Sequence, residues 1–415
     1  MKAFEYGINI SRLRKNLEEL ASFGGNKEGG ISRLAFGAED MKARAWLREK
    51  MEAAGLYSRI DEAGNVFGRL GNEGPAVWAG SHLDTVPNGG MFDGALGVLA
   101  ALECLQTICE RQLPFRWPLE VVAFSDEEGT YKSFFGSKAI TGLLTTEELA
   151  CARNMNGQAL AHVLSAVGMD IQRINRARID HGQIRAYLEL HIEQGPLLES
   201  KLISIGLVRS IVGIVSYQMA FLGTPNHAGT TPLELRRDAF LGAAEFSLKV
   251  YDWVRSTTSG VVNIGKVDLY PGAFNIVPGR ARLALEFRSP SSEGLEVMEK
   301  KILSLGNEIS RKKGLKFSAS KVSWDSAVRL DDTIIQLLQE EAETLGYDYR
   351  IMNSGAGHDA QIMARATRAG MIFIPSIGGK SHSPEEACSW DAVERGATLL
   401  LHGLLRLARE KKQSK

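Results

Sequence analysis

Gly80-Ser81-His82-Leu83-Asp84-Thr85-Val86-Pro87 runs into Gly89-Gly90-Met91-Phe92-Asp93-Gly94, and no other stretch of the chain is as hard to explain by packing alone. It follows the apolar run Ala76-Val77-Trp78-Ala79, which reads as a buried strand, and it puts one imidazole and two carboxylates into a loop of small residues. His82 and Asp84 are two apart, so at a strand end their side chains share a side. One can bind a metal while the other orients it as a second carboxylate-type partner. Glycines around Asp93 permit a sharp turn, after which Ala95 to Leu102 reads as a buried helix. Asp93 then sits at a helix start facing the same pocket. A His-x-Asp pair by itself is most often an ordinary surface or capping pair, so its partners decide the matter.

With 415 residues the chain is long for one core, and two domains are expected. Hydrophobic content of 44% and charged content of 24% are those of a soluble globular protein. Forty-nine residues of each charge sign give a net charge of zero, which offers nothing to attract nucleic acid or an anionic membrane. The expected partner is a small molecule. Cys104, Cys109, Cys151 and Cys388 show neither C-x-x-C spacing nor the density of a disulfide framework, so reduced thiols are expected. The opening stretch from Met1 to Tyr6 has mixed charges and no apolar core, and no run of about 18 apolar residues could span a bilayer. The expectation is a cytoplasmic enzyme.

Along the chain, helices at Ser11 to Ala21 and Glu39 to Ala54 precede strands at Tyr57 to Asp61 and Asn65 to Leu70. After the Asp93 helix comes the strand Leu119 to Phe124, and this alternation indicates an α/β domain with a mixed sheet whose ligands gather at the carboxyl ends of strands. That strand ends in Ser125-Asp126-Glu127-Glu128-Gly129, three consecutive acids that repel one another unless a cation offsets them. Neighbouring carboxylates do not easily point at one ion, so one can bind metal while the next handles a proton. His162 lies in a polar, helix-forming region from about Thr146 to Arg178 with His181 just beyond it, and both read as surface or satisfied residues. Ala186 to Ile192 reads as a strand, placing His191 at another strand end before Gly195-Pro196.

Residues 212–324 change character. Strands at Ser216 to Leu222, Val261 to Leu269, Ala281 to Phe287 and Leu315 to Val322, with helices at Leu233 to Arg255 and Ser292 to Lys313, give a β-α-β-β-α-β order. This is a ferredoxin-like α+β unit inserted into an α/β domain made of residues 1–211 and 325–415. In the closing part a helix at Thr333 to Gly346 and a strand at Met371 to Pro375 lead to Gly378-Gly379-Lys380-Ser381-His382-Ser383-Pro384-Glu385-Glu386, which places His382 in a Gly/Ser loop after a strand. His402 lies in an apolar helical run and reads as packed.

The candidates form a set: His82, Asp93, Glu128, His191 and His382, with Asp84 and Glu127 as orienting and proton-handling groups. Imidazoles with a few carboxylates suit zinc, manganese, cobalt or nickel better than calcium or magnesium. Five ligands exceed one closed tetrahedral ion, but fit two ions about 3.5 Å apart.

The strings Gly80 to Pro87, Phe92 to Val98, Asp126 to Gly129, His191 to Pro196, Asn226 to Pro232 and Ser381 to Pro384 resemble the M20 metallopeptidase superfamily. Within it the resemblance is to the amidase and carbamoylase branch of N-carbamoyl-L-amino-acid hydrolases, allantoate amidohydrolases and β-ureidopropionases. The resemblance implies a zinc-exopeptidase-like catalytic domain. Asp93 would bridge two ions, one held by His82 and His191 and the other by Glu128 and His382. It implies Glu127 as general base and Asp84 as the group orienting His82. It also makes the inserted unit a lid and dimerisation domain, with His227 steadying the oxyanion of a neighbouring subunit's site. Asn275 and Arg288 would bind the substrate carboxylate, and Gln194 and Gly357 are further substrate contacts. Histidine at 191 looks like the carbamoylase branch. Lys380 beside His382 departs from the small apolar residue expected there, and Ile377-Gly378-Gly379 replaces a more polar stretch.

The expected reaction is cleavage of a ureido C–N bond in an N-carbamoyl-L-amino acid, giving amino acid, carbon dioxide and ammonia. Allantoate or β-ureidopropionate hydrolysis is the alternative, since these substrates also carry a carboxylate. An aminoacylase or dipeptidase, and a non-catalytic metal binder, rank below.

Overall fold

Ala76–His82 is buried along its whole length, as a strand must be when both faces of its sheet are covered. The computed structural model describes residues 6–411. Of the opening stretch from Met1 to Tyr6, residues 1–5 lie outside the described residues. The strands are β1 (Tyr57–Ile60), β2 (Val66–Leu70), β3 (Ala76–His82), β4 (Leu119–Phe124), β5 (Ile184–Ile192), β6 (Ile205–Ile211), β7 (Gly213–Leu222), β8 (Asn226–His227), β9 (Val261–Tyr270), β10 (Ile276–Val277), β11 (Arg280–Ser289), β12 (Lys316–Asp325), β13 (Val328–Arg329), β14 (Tyr349–Ser354) and β15 (Ala369–Ile374). The chain divides into two compact units, one of residues up to 209, 330–352 and from 356 onward, the other of residues 210–329 and 353–355.

In the first unit the sheet runs β1-β2-β4-β3-β5-β15-β6, with β14 also paired to β6. Its centre is parallel: β4 with β3, β3 with β5, and β5 with β15. Antiparallel β1, β2 and β6 flank it, which makes the sheet mixed. Parallel strands need a long crossover, and the helix Ala95–Glu110 supplies the one between β3 and β4. Thirteen of its sixteen residues are buried, because it packs on β3 and against the C-terminal helix Trp390–Arg409 in the main core. Gly97 permits that approach, since a Cβ there would lie 2.5 Å from the Leu190 carbonyl oxygen. The four parallel strands end on the same edge of the sheet. Their carboxyl ends therefore deliver His82, the acids after Phe124, His191 and the loop after Ile374 to one place.

The second unit has a four-stranded antiparallel sheet in the order β12-β7-β11-β9. Helices Ala239–Thr257 and Ser292–Lys312 cover one face and close a core around Phe221, Phe246, Phe287 and Ile302. Strand β7 alternates buried and more exposed residues, as a strand with one covered face should. The first helix begins later than its sequence pattern suggests. Leu233–Leu235 is a short 3-10 turn, and the α-helix starts where the Asp238 carboxylate accepts the N–H groups of Phe240 and Leu241.

All four cysteines are free thiols. Among the described residues no helix is long and apolar enough to cross a membrane. His402 is buried between Glu341 and the Tyr6 carbonyl, His181 contacts the Thr141 carbonyl, and His162 is exposed.

Candidate active site

Asp93 is the centre of the site. Its Oδ1 lies 3.1 Å from His191 Nε2 and 3.7 Å from His82 Nε2, while its Oδ2 lies 3.2 Å from His382 Nε2. One carboxylate thus faces two donor sets, His82 with His191 on one oxygen and His382 with Glu128 on the other. Donor atoms of His82, Asp93 and His191 lie within 4.8 Å of one another, and so do those of Asp93, Glu128 and His382. His82, Glu127 and Glu128 form a further such group, as do Glu189, His191 and His358.

The imidazoles are oriented from behind. His191 Nδ1 donates to the Ile192 carbonyl at 2.9 Å, and His82 Nδ1 to the Asp84 carbonyl at 2.9 Å, which leaves both Nε2 atoms facing Asp93. The Gly94 N–H also points at His191 Nε2, 3.3 Å away. The sequence expectation that the Asp84 carboxylate orients His82 is modified here. That carboxylate is 3.9 Å from Nδ1 and instead accepts the backbone N–H groups of Glu127 and Glu128, so Asp84 holds the acidic turn with its side chain and His82 with its backbone.

The three consecutive acids point three ways. Asp126, at φ 51°, turns back to accept the N–H groups of Tyr131 and Lys132. Glu127 Oε2 lies 3.6 Å from His82 Nε2, and Glu128 Oε1 lies 3.6 Å from His382 Nε2. Their environment is electrostatically costly. Burial pushes the Glu127 carboxyl well above its usual value, with Glu128, Asp359, Asp84 and Asp93 adding to it. Burial and then Asp93 push Glu128 up to about 7. Burial would raise Asp93 too, but hydrogen bonds from His191 and His382 outweigh it and hold this carboxyl well below its usual value. Asp93 lifts His382 to about 9 and, against the effect of burial, lifts His191 to about 9. Three imidazoles and several buried carboxylates, each set converging within metal-ligand reach, make a donor set that fits divalent cations.

Gln194 bears on the same centre. Its amide donates to Asp93 Oδ2 at 2.8 Å, and its carbonyl oxygen is buried without a hydrogen-bond partner. Lys380 is exposed in side chain and pairs with Glu385. Gly357 lies against the Phe134 ring, with no room for a side chain. Three groups escape sequence reasoning. Glu189, fully buried, accepts from Ser81, Tyr187 and the Ala360 N–H. His358 stacks edge-on against His191 with ring centres 4.5 Å apart. Glu386 accepts the backbone N–H groups of Phe92 and Asp93. For His358 the available signal was its place in a Gly-rich loop after a strand, the context that singled out His82 and His382.

His227, Asn275 and Arg288 belong to the second unit and are described within it. His227 is exposed, and its Nδ1 accepts the N–H groups of Gly229 and Thr230 at 3.1 and 3.2 Å, so the neutral ring carries its proton on Nε2 and presents a donor. The Asn275 carbonyl accepts from the Ala228 N–H, tying the two loops together. Arg288 donates to Glu286 through Nε and to the Gly355 carbonyl through Nη1, with Nη2 2.8 Å from Glu286.

A sequence profile for peptidase family M20/M25/M40 matches residues 78–406. The chain belongs to this family. N-carbamoyl-L-amino-acid amidohydrolase of Paenarthrobacter aurescens is 37% identical to this M20 chain over 405 residues, covering 96% of it and 98% of that protein. Allantoate amidohydrolase of Escherichia coli is 35% identical, covering 97% of this chain and all of that one (100%). Among solved structures, a hydantoinase/carbamoylase-family amidase from Burkholderia multivorans matches with a TM-score of 0.91 at 32% identity, over 98% of this chain and 99% of that one. The M20 chain is accordingly an amidohydrolase of the carbamoylase and allantoate group, an enzyme acting on amide bonds.

Proposed function

We propose that the enzyme hydrolyses the ureido C–N bond of an N-carbamoyl-L-amino acid, releasing the amino acid, carbon dioxide and ammonia. The observation that carries this reading is the division of the Asp93 carboxylate between two imidazole-containing donor sets, with Glu127 beside one of them. His82 and His191 would hold one divalent cation and Glu128 and His382 a second, with Asp93 shared; zinc, manganese, cobalt and nickel all suit these donors. Bound there, two cations supply a water of lowered pKa and polarise the ureido carbonyl.

Glu127 takes a proton from the attacking water and returns it to the leaving nitrogen as the C–N bond breaks. The carbamate so released decays to carbon dioxide and ammonia. His227, whose Nε2–H is free to donate, steadies the oxyanion in a neighbouring subunit's site. Arg288 and Asn275 take the substrate carboxylate. Glu286 and Gly355 already engage part of the guanidinium, which fixes its direction and leaves further N–H groups for a ligand. Gln194 and Gly357 complete the substrate contacts. The second unit acts as a lid and joins two subunits into a homodimer. Exposed Val261, Val267 and Tyr270 on its edge strand β9 support that role.

A second reading, allantoate hydrolysis, draws on the Escherichia coli relative. Ammonia release from N-carbamoyl-L-amino acids, allantoate and β-ureidopropionate, and free amino-acid release from N-acetyl amino acids, after loading with zinc, manganese or cobalt, test both. Turnover of the N-acetyl compounds alone would overturn the ureido assignment, and preference for allantoate would replace the first reading by the second.

A further inference from the structure

Glu386 lies four residues after His382 and is buried, 6% exposed, and its hydrogen bonds run to backbone and hydroxyl groups. Its Oε1 accepts the backbone N–H groups of Phe92 at 2.9 Å and Asp93 at 3.0 Å, and its Oε2 lies 2.9 Å from the Ser381 hydroxyl. That hydroxyl is also 3.1 Å from Asp93 Oδ2. One carboxylate therefore touches both the backbone that carries Asp93 and the residue that precedes His382, groups 293 and 5 positions away in sequence. Gly90 makes room for it. A Cβ at Gly90 would stand 2.3 Å from Oε1 and 2.4 Å from Cβ of Glu386, and the latter atom cannot swing aside.

We infer that Glu386 is a positioning residue that latches the Asp93 loop to the Ser381-His382 loop, so that the shared carboxylate and the second imidazole keep one fixed spacing. The inference rests on Asp93 and His382 being metal ligands, as proposed above. The latch works through acceptor geometry. Backbone N–H groups at the foot of the Asp93 turn need an acceptor, and only a side chain arriving from the His382 loop supplies it while joining the two segments. Groups that orient metal ligands from behind typically change affinity about 10–100-fold when removed.

The test uses the full chain and cobalt(II), titrated against a competing chelator with the visible absorption of the bound ion as a second readout. E386A should keep the far-ultraviolet circular dichroism of the metal-free protein, but bind its weaker cobalt ion about tenfold or more less tightly, with an altered spectrum. E386Q should stay close to wild type in both readouts, because an amide oxygen still accepts both backbone N–H groups and its NH₂ can donate to Ser381. G90A, which displaces the carboxylate without removing it, should follow E386A. Wild-type cobalt affinity in E386A, or a loss in E386Q as large as in E386A, overturns the inference. If E386A does not fold, G90A decides, and two wild-type affinities there overturn it. H382A separates the underlying reading: if it still binds two ions as wild type does, the ligand assignment fails, whereas loss of an ion in H382A with both retained in E386A sinks the latch alone.

Discussion

Gly94 sits directly under the His82 ring: a Cβ added to it would lie 2.3 Å from His82 Cε1 and 2.4 Å from both ring nitrogens. Its backbone is at φ 64°, ψ −52°, where side chains other than hydrogen are strained, and it forms the N-cap of the helix Ala95–Glu110. The turn after Asp93 is thus built around contact between backbone and imidazole. G94A should push His82 out of its place beside Asp93 while leaving the second donor set nearly intact. The expected outcome is loss of one of two bound ions by elemental analysis and loss of turnover, in a protein that still folds. Two ions retained at wild-type affinity would count against His82 as a ligand.

Glu127 stands apart from the other acids because it faces His82 at 3.6 Å while remaining 7% exposed. A group that shuttles a proton gives a rate effect without a binding effect. General acid and base catalysis contributes about 10²–10⁴-fold, so E127Q should lower kcat by at least about that range while metal content stays near wild type. Glu128→Gln should behave differently, losing metal first. Equal metal loss in both variants would mean that Glu127 is a ligand and the proton is handled elsewhere.

Removal of cations should expose the repulsion now concentrated between Glu127, Glu128, Asp84 and Asp93. Because the donor set is assembled only by the fold, an ion that binds it stabilises the native state. At a free concentration one hundred times Kd the gain is about 2.7 kcal/mol per site. Chelator-treated protein should therefore unfold at lower temperature, and the midpoint should climb with added zinc, manganese or cobalt and not with calcium at equal concentration. A midpoint indifferent to all four ions is the contrary result.

Much of this architecture is legible in local sequence because its signals are local. Leu119 to Phe124 is apolar but for Glu120 and lies between Pro118 and Ser125, and the strand has those limits. Histidines in Gly-rich loops after strands stand out for the same reason. The start of the helix after His227 is not legible in that way, since Leu233 and Leu235 continue the apolar pattern and only the Asp238 side chain, bound to Phe240 and Leu241, decides where the helix begins. Glu189 and Glu386 escape for a different reason. Each looks like an ordinary polar residue until the fold brings Ala360 or Phe92 to it across 171 or 294 positions. The Asp84 carboxylate belongs with them, because its acceptor role depends on the acidic turn more than forty residues later.

The second unit offers a pH test on a helix that carries none of the proposed metal ligands. Glu245, on the helix Ala239–Thr257, lies 3.1 Å from Lys312 Nζ and 2.9 Å from Lys313 Nζ at the end of the other helix. Hydrogen bonds from Lys313 and Lys312 hold its carboxyl down at about 2, against an ordinary value of 4.5. The unfolded chain therefore binds this proton more readily than the folded one, so the stabilisation is complete above 4.5 and is lost as pH falls toward 2. The site is partly exposed, and ion pairs of that kind contribute about 0–1 kcal/mol. E245Q should be less stable than wild type by that order at pH 7, and by less in 1 M salt, where charges are screened beyond about 3 Å. The gap should hold on acidification until about pH 4.5 and then close. A gap that stays constant down to pH 3, or widens there, would show that Glu245 stabilises the unit by packing and not by charge.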